Sequence, residues 1–552
     1  MGTAGSFEPG IGRESVKSHS SIPPKQQGAP AQKAVAATIQ SLMELALRQY
    51  AAGAFTEAER TCLNILALDV RHADCLYLLG IIGYRTGRFP MAVAMIRRAI
   101  AINGEQASYH CDLGSALQMQ GKFDEAVASF ERALAIQPDY PEAAFNLGNA
   151  HRAQGDLVQA SAAFQRALAM KPDYLEAWNN LGLVLQDQGL LDEAAACFER
   201  ARSLIPEEPE APYNLGRLRH LQSRYAEAAT LYEQALALRP GYTDAHRNLA
   251  LIQLLHGDYA PGWRNYEWRD QQPDGPRQFQ QPRWHGEPLG GARILLHAEQ
   301  GLGDTLQFLR FVPIVQAAGG TVILDIPKRL RRLAEQLPGI AAQVDTGDPL
   351  PPFDCHCPLM SLPQVLGITL EAIPAQVPYL TIPIAAVEKA ATLPWSQAGL
   401  RVGLAWAGSP ANPRDRFRSI SLSLLDPLLG IKGVQFFSLQ MGAPAVQLAG
   451  IDAHIADLEP VTADMADTAA QIAQLDLVIS VDTAVVHLAG ALAKPVWVLL
   501  PFAPDWRWML DREDSPWYPT ARLFRQPEAN NWESVVSAVR AELAGLTGQL
   551  ST

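Results

Sequence analysis

The chain has 552 residues, with 45 basic against 57 acidic side chains and a formal net charge of −12 at pH 7. This length suits roughly three or four domains, and the acidic balance argues against a general nucleic-acid or anionic-membrane binder. No apolar run reaches the roughly 18 residues that a membrane span needs, and the first residues lack the pattern of a signal peptide. We therefore predict a cytoplasmic protein with no nucleic-acid partner and no transmembrane segment.

The chain opens with a segment of low hydrophobicity. Residues 1–38 are rich in Ser, Pro, Gly and Gln, and we predict a disordered leader there because such a composition cannot build a packed core.

A repeat of 34 residues then runs from Ile39 to Tyr242. The small residue recurs in all six units, a Leu-Gly pair and a turn glycine in five each, and a closing proline in four. The small-residue column is Ala58, Ala92, Ala126, Ala160, Ala194 and Ala228, and the proline column is Pro138, Pro172, Pro206 and Pro240. The pattern resembles the tetratricopeptide repeat over about six full units, each a pair of antiparallel helices. Stacked units share one core and form a concave groove, so we predict a solenoid over residues 39–260 that holds a protein or peptide.

The repeat fades in a seventh unit that starts at Thr243 and loses the pattern at Pro261 and Gly262. We interpret residues 261–290 as a capping helix and connector. Trp263, Tyr266 and Trp268 are predicted to pack this helix against the region that follows.

From Gly291 the periodicity changes to short apolar runs that alternate with helical segments. In the first part a strand at 292–297 precedes a helix at 305–317 and a strand at 321–325. In the second part the predicted strands are 401–406, 434–439, 477–481 and 495–500. Such alternation predicts parallel doubly wound sheets, so we expect an N-terminal lobe at 291–385, a C-terminal lobe at 395–545 and a cleft between them.

Ligands of such sheets bind beyond the carboxyl ends of the strands, and polar residues follow several of the predicted strands. After the first strand come Gln300, Gly301, Gly303 and Asp304; the later candidates are Ser409, Asn412, Arg414, Arg418, Gln440, Asp482, Thr483 and His487.

No set of candidate residues has the sequence spacing of a metal site. The one cluster, Cys355-His356-Cys357, lacks zinc-finger spacing and a second half-site. No Asp-x-Asp motif stands at a clear strand end. We therefore predict neither a metal nor a cofactor.

Three segments, GLGDTLQFLR, GLAWAGSP and VISVDTAVVHLAGALAKPVWVLLP, resemble the heptosyltransferase-like glycosyltransferases, which have the GT-B fold of two Rossmann-like lobes. The tandem with repeats resembles the bacterial tetratricopeptide-repeat glycosyltransferases and, in layout, the protein O-GlcNAc transferases. The resemblance implies an α-helical solenoid followed by a two-lobed α/β GT-B region. It also implies metal-independent, inverting transfer from a nucleotide-diphospho-sugar to a protein, with flagellin or another bacterial surface protein as a plausible acceptor.

The donor residues follow from the chemistry of a diphosphate leaving group, whose charge needs helix N-termini, hydroxyls or cations. Thr483, at the end of a strand and the start of a helix, can offer its hydroxyl and N–H, and His487 lies one turn further on the same face. A buried histidine bonded to a carbonyl is the alternative for His487. Asp482 either caps the helix or touches the ligand.

The remaining candidates have structural alternatives as well. Arg414 and Arg418, in a loop comparable to the basic loop of heptosyltransferases, either contact the diphosphate or belong to a solvated loop. Gln440 can hold the base or ribose. Asp304 is the candidate general base, the role assigned to the matching Gly-Asp aspartate in heptosyltransferases; the alternative is helix capping.

Two other functions remain open on the sequence. One is transfer to a lipid or oligosaccharide, with the repeats recruiting partners. The other is a non-catalytic scaffold that retains a relic GT-B body.

Overall fold

The computed structural model describes the backbone of residues 29–271, 277–393, 395, 399–410, 412, 415–451 and 455–550, with side chains from 33 and not at 270, 271, 549 or 550. Residues 1–28 of the predicted leader and the candidate Arg414 lie outside the described residues. The first helix begins at Ala29, so residues 29–38 are helical rather than disordered.

The chain divides into two compact units, Met1–Cys197 and Phe198–Thr552. The helices that begin in the first unit are α1 (Ala29–Ala51), α2 (Phe55–Leu68), α3 (Ala73–Arg85), α4 (Phe89–Ile102), α5 (Ala107–Gln118), α6 (Phe123–Ile136), α7 (Pro141–Gln154), α8 (Leu157–Met170), α9 (Leu175–Asp187) and α10 (Leu191–Leu204). The unit boundary falls inside α10.

The repeat columns of the sequence correspond to contacts between paired helices. In α7, a Cβ at Gly148 would lie 2.6 Å from the ring of Phe164 in α8, so the glycine of the Leu-Gly pair leaves the space that this ring fills. Gly155, at the end of α7, has φ +82°, a left-handed conformation that ends the helix. The predicted solenoid of paired helices is therefore confirmed.

The second unit begins with the last repeats, α11 (Glu210–Leu221), α12 (Tyr225–Leu238), α13 (Thr243–Leu255) and α14 (Tyr259–Tyr266). One core runs from Tyr232 and Leu249 through Trp263 into the first sheet at Ile294. The last repeats therefore belong to the same compact unit as the α/β region. The solenoid was predicted to end at residue 260, whereas this compact unit begins at Phe198.

The predicted cap is present in α14. Trp263 is buried, and its Nε1–H donates to the carbonyl of Ile368 at 3.2 Å. Its ring meets those of Phe308 and Trp506 edge to face. Trp268 differs from the prediction, because its ring stacks at 4.1 Å on His246 of α13 and so packs on the last repeat.

Two parallel sheets follow. The first, in the order β3-β2-β1-β4, contains β1 (Arg293–His297), β2 (Thr321–Ile326), β3 (Ile340–Asp345) and β4 (Cys355–Pro358). The second, in the order β10-β9-β8-β5-β6-β7, contains β5 (Leu400–Ala405), β6 (Val434–Ser438), β7 (Ile455–Asp457), β8 (Leu477–Val481), β9 (Val496–Leu500) and β10 (Ala521–Arg525). Every paired strand is parallel; β1, for example, sets Ile294 opposite Val322 and Cys355.

The helices of this region are α15 (Leu302–Phe308), α16 (Val312–Ala317), α17 (Arg331–Ala334), α18 (Leu362–Val365), α19 (Ile384–Ala391), α20 (Asp415–Arg418), α21 (Asp426–Leu429), α22 (Met465–Gln474), α23 (Ala484–Ala491) and α24 (Trp532–Leu550). The helix predicted at 305–317 begins three residues earlier and is broken by a 3-10 turn at Leu309–Phe311. The Cys355-His356-Cys357 cluster forms β4. In the described part of the chain, no helix is long and apolar enough to cross a membrane.

Ion pairs join the two lobes within the second unit. Arg332 of α17 donates to Asp464 and Asp467 at 3.0 Å each, and Lys389 of α19 donates to Asp467 at 2.5 Å. Asp467, at the start of α22, is 3% exposed. A nearly buried carboxylate therefore receives two cations from elements that precede the second sheet.

The contact of α11 with α12 predicts a different outcome for two glycine substitutions. A Cβ at Gly216 would lie 2.8 Å from the ring of Tyr232, whereas one at Gly545 in α24 meets nothing within 4 Å. We expect Gly216→Ala to lower the free energy of unfolding by about 1–3 kcal/mol. Gly545→Ala, the matched control, should raise it by about 0.5–1 kcal/mol. Calorimetric melting of both variants measures this, and equal shifts would contradict the packing.

Candidate functional site

A cleft of about 980 Å³ lies between the two sheets, beside the carboxyl ends of β1, β5, β6 and β8. In the second sheet the chain runs outward from β5 to β7 and then returns to β8 on the other side of β5, which makes the β5/β8 boundary a topological switch point. The predicted candidates that line the cleft are Gln300, Gly301, Gly303, Asp304, Ser409, Asn412, Arg418, Gln440, Asp482, Thr483 and His487. The structure thus brings together every predicted site residue that it describes.

Asp304 lies in the first turn of α15, on the wall that the first lobe contributes. Its Oδ2 accepts a hydrogen bond from the Gly301 N–H at 2.9 Å, and its Oδ1 accepts one from the Arg507 guanidinium at 2.5 Å. The side chain is 22% exposed. Asp304 is therefore the third residue of α15, whose N-cap is Gly301; its carboxylate accepts from that N-cap N–H and also faces the cleft, and its role as a base stays a prediction.

Arg507 was predicted only as part of the segment 505–508, which could close over the donor, and not as a site residue of its own. It follows β9 in a 3-10 turn, with its side chain 8% exposed. Besides Asp304, the guanidinium donates to Asp505 at 2.9 Å and to Gln307 at 2.5 Å. Burial opposes its charge, but Asp505 and Asp304 hold the pKa of Arg507 above its ordinary value. The signal that could have identified it is the polar segment directly after the predicted strand at 495–500.

His487 lies on α23 with 5% exposure. Its Nδ1 is 2.9 Å from the Tyr518 hydroxyl, so its partner is a side chain and not the carbonyl of the alternative reading. Its Nε2 is 3.9 Å from Asp482 Oδ1, beyond hydrogen-bond distance. Burial, followed by the charges of Arg507, Arg310 and Arg418, lowers the pKa of His487 well below 6.5. The imidazole is therefore neutral at pH 7.

Gln300 and Gly301 belong to the loop between β1 and α15, and Gly303 lies in the first turn of α15. The Gln300 side chain donates to the Tyr266 hydroxyl at 3.2 Å, which ties the loop to α14. A Cβ at Gly303 would lie 2.6 Å from Cδ2 and 3.3 Å from Nε2 of His487. The first turn of α15 therefore touches the histidine of the second lobe, and glycine at 303 permits that approach.

Thr483 is the N-cap residue of α23, but its side chain does not cap the helix. Its hydroxyl lies 3.1 Å from that of Ser480. The Asp482 side chain lines the cleft beside it, so the capping alternative for Asp482 does not hold. Burial and the neighbouring Asp505 raise the pKa of Asp482 to about 6.

The side-chain amide of Gln440 is fully hydrogen-bonded within the protein. Its Oε1 accepts from the N–H groups of Trp406 and Ala407 at 3.0 and 2.9 Å. Its Nε2 donates to the carbonyls of Ala407 and Met441 at 3.0 and 3.2 Å. With both lone pairs and both protons engaged, the side chain joins the loops after β5 and β6, and the predicted contact with a base or ribose is not available to it.

The loop after β5 brings Ser409, Asn412 and Arg418 to the cleft. Ser409 is exposed, and its carbonyl accepts from the Asn412 N–H at 2.9 Å. Arg418 donates to Asp415 at 3.2 Å and is partly buried. Of the two predicted arginines, Arg418 is the one that the structure describes, and it lies at the cleft. Among the described residues, no group of three or more His, Cys, Asp or Glu side chains could hold a metal.

Comparison with known proteins identifies the repeats. Models of the tetratricopeptide repeat match residues 43–107, 111–174 and 173–241. The N-terminal region therefore consists of tetratricopeptide repeats, which point to protein or peptide partners.

The chain is also similar to Protein FlbA of Caulobacter vibrioides, with 32% identity over 315 residues. This match covers 51% of this chain and 52% of FlbA, so the chain spans about half the length of that relative. Solved structures with similar regions include MamA (25% identity, 28% of this chain, 92% of MamA, TM-score 0.28) and YrrB (20% identity, 33% of this chain, 95% of YrrB, TM-score 0.30). YrrB is described as a TPR protein with an unusual peptide-binding site. At TM-scores below 0.5 these likenesses imply nothing about function.

The raised pKa of Asp482 predicts a pH-dependent stability. Because its pKa is about 6 in the folded protein, against 3.8 ordinarily, the native carboxyl binds more protons than the unfolded one between these values. The carboxylate therefore destabilises the fold increasingly as the pH rises from about 4 to 6. We expect Asp482→Asn to stabilise the protein by up to about 3 kcal/mol at pH 7 and by only a few tenths of a kcal/mol near pH 4.

Denaturant unfolding of the wild type and the variant at both pH values measures this difference. The pH 4 measurement is the internal control, since any change in packing persists there. A variant that is destabilised equally at both values would contradict the assigned burial of the charge.

Proposed function

We propose that the protein is a glycosyltransferase that moves a sugar from a nucleotide-diphospho-sugar to a protein acceptor held by the repeats. The observation that carries the proposal is the convergence in one cleft of all three segments that resemble heptosyltransferase-like enzymes. Asp304 comes from the first segment, Ser409 from the second, and Thr483 with His487 from the third. These segments are distant in the chain and meet only through the fold.

The arrangement of the two parallel sheets supports the GT-B fold that the sequence resemblance implies. Each lobe contributes one wall of the cleft, with Asp304 on one side and Thr483 on the other. In this fold the nucleotide is expected on the second lobe, at its β5/β8 switch point. The acceptor is then expected beside the first lobe.

On the donor side, the diphosphate is proposed to lie at the N-terminus of α23. The N–H groups of a first helical turn and the helix dipole favour an anion. The Thr483 hydroxyl and the His487 ring add donors, and Arg418 adds a cation at the opposite edge. These groups would stabilise the negative charge that develops as the bond to the diphosphate breaks, without a metal.

On the acceptor side, Asp304 is the proposed base. An acceptor hydroxyl passes its proton to the carboxylate while its oxygen forms a bond to the anomeric carbon. The bond from that carbon to the diphosphate oxygen breaks, and the nucleoside diphosphate leaves with the electron pair. Attack from the wall opposite the leaving group inverts the configuration at that carbon. Gly301 and Arg507 would hold the carboxylate in place.

A protein is the proposed acceptor because the chain devotes its N-terminal region to tetratricopeptide repeats. Repeats of this kind stack into extended binding surfaces. Flagellin or another bacterial surface protein is the acceptor that the family resemblance suggests.

Nucleotide binding tests the donor half of the proposal. We expect calorimetric titration with UDP, GDP, ADP and CDP to detect a preferred nucleoside diphosphate. Thr483→Ala should weaken its binding by about 10-fold, as for one lost hydrogen bond to a charged group. Thr392→Ala, at the exposed end of α19, is the matched control and should bind normally. Failure of the wild type to bind any of the four would favour the scaffold alternative.

Complementation in cells tests the acceptor half. Deletion of the gene should remove a glycan from one or more proteins, and the wild-type gene should restore it. Asp304→Asn should reduce the restored transfer by about 10²–10⁴-fold. Asp348→Asn, at an exposed position of the same lobe, should complement fully. Undiminished transfer by Asp304→Asn would remove the assigned base, and loss of a lipopolysaccharide sugar with unchanged protein glycans would overturn the protein acceptor.

A further inference from the structure

Behind the cleft, Tyr518 and Arg310 form a polar group that touches His487. Both side chains are buried, Tyr518 with 0% and Arg310 with 4% exposure. The Arg310 guanidinium lies 4.7 Å from the centroid of the Tyr518 ring. It also donates to the Tyr379 hydroxyl at 3.2 Å and to the Trp517 carbonyl at 2.8 Å. None of these residues lines the cleft.

The ring of Tyr518 packs against α23 at Gly490, where the absence of a side chain leaves room for it. A Cβ at Gly490 would lie 2.3 Å from Cδ1 of the Tyr518 ring. Gly490 is three residues after His487, on the same side of the helix. The short sequence from His487 to Gly490 therefore supplies both the histidine and the space for the tyrosine that contacts its Nδ1.

The opposite edge of the imidazole faces the other lobe. The closest atoms to a Cβ placed at Gly303 would be Cδ2 and Nε2 of His487. His487 lines the cleft and its Nδ1 contacts Tyr518, so Nε2 is the nitrogen left for a ligand there. Because the ring is neutral, only one of its two nitrogens carries a proton, and that choice decides whether the ring donates to a ligand or accepts from it.

The surroundings of the Tyr518 hydroxyl decide between the two tautomers. Arg310, which offers only protons, donates to the Tyr379 hydroxyl, and its guanidinium lies against the Tyr518 ring. The Tyr379 hydroxyl proton is directed to the Leu306 carbonyl at 3.1 Å. With the Arg310 cation against its ring, the Tyr518 hydroxyl is the favoured donor in its 2.9 Å contact with Nδ1 of His487.

We propose that Tyr518 is a positioning residue that donates to Nδ1 and holds His487 as the Nε2–H tautomer, so that an uncharged N–H donor faces a phosphate oxygen in the cleft. The tautomer itself is independent of any ligand. The identity of the acceptor as a phosphate rests on the function proposed above. Tyr518 lies more than thirty positions from the histidine, outside the three segments that resemble known enzymes.

Nitrogen-15 NMR of protein labelled at histidine tests the tautomer directly. Two-bond correlations distinguish protonated from unprotonated ring nitrogens, and a His487→Asn sample assigns the signal. We expect the wild type to have a protonated Nε2 and an unprotonated Nδ1. Tyr518→Phe, which removes only the hydroxyl, should produce a mixture of both tautomers. Tyr259→Phe removes another buried hydroxyl, which contacts Trp517 but not His487, and should leave the signal unchanged.

A protonated Nδ1 in the wild type, or an unchanged spectrum in Tyr518→Phe, overturns the proposal. The wild-type spectrum alone decides the first point, even where a variant fails to fold. Titration with UDP, GDP, ADP and CDP then measures the consequence, a loss of about 10-fold in affinity for Tyr518→Phe and none for Tyr259→Phe. Absence of binding to the wild type contradicts the proposed function while the NMR result on the tautomer stands.

Discussion

The geometry of the cleft depends on the ion pairs that the buried guanidinium of Arg507 forms with Asp304 and Asp505. A cation with 8% side-chain exposure costs several kcal/mol to remove from water unless opposite charges compensate it. Asp505 compensates it from its own turn, and Asp304 does so from the other lobe. Separation of the lobes at this point would leave the arginine buried and partly unpaired. The loops after β1 and β9 are therefore held together at the position where the sequence resemblance places the chemistry.

That constraint also explains how close the two lobes approach. With Asp304 fixed to Arg507, the preceding residue Gly303 lies against His487, where a side chain has no room. The ion pair of Arg332 with Asp467 joins the same lobes at a second place, and Lys389 of the connecting segment pairs with the same carboxylate. Two separate polar contacts fix the distance between the cleft walls more firmly than either would alone, and the positions of the histidine and the aspartate follow from them.

The sequence predicted the parts of this structure that periodicity or strand order determines. The solenoid followed from a 34-residue period, and the lining of the cleft followed from the rule that ligands bind beyond parallel strand ends. It did not predict which side chains are already engaged. Gln440 lies at a strand end, but its amide is hydrogen-bonded to backbone groups. Arg507 lies in a segment without a motif. Strands such as β4, with Cys and His in place of a uniform apolar run, gave no clear pattern either.

The charges in the cleft suggest how such a site handles an anionic ligand. Arg418 is paired with Asp415, and Arg507 with Asp505 and Asp304, so these two cations bring little excess positive charge. A protein of net charge −12 also provides no general attraction for an anion. Arg329 also lines the cleft, and beside it a diphosphate would rely on oriented neutral donors: the first turn of α23, the Thr483 hydroxyl and the His487 ring. Such donors act only at short range and in a fixed direction, so the accuracy of their placement matters more than the total charge.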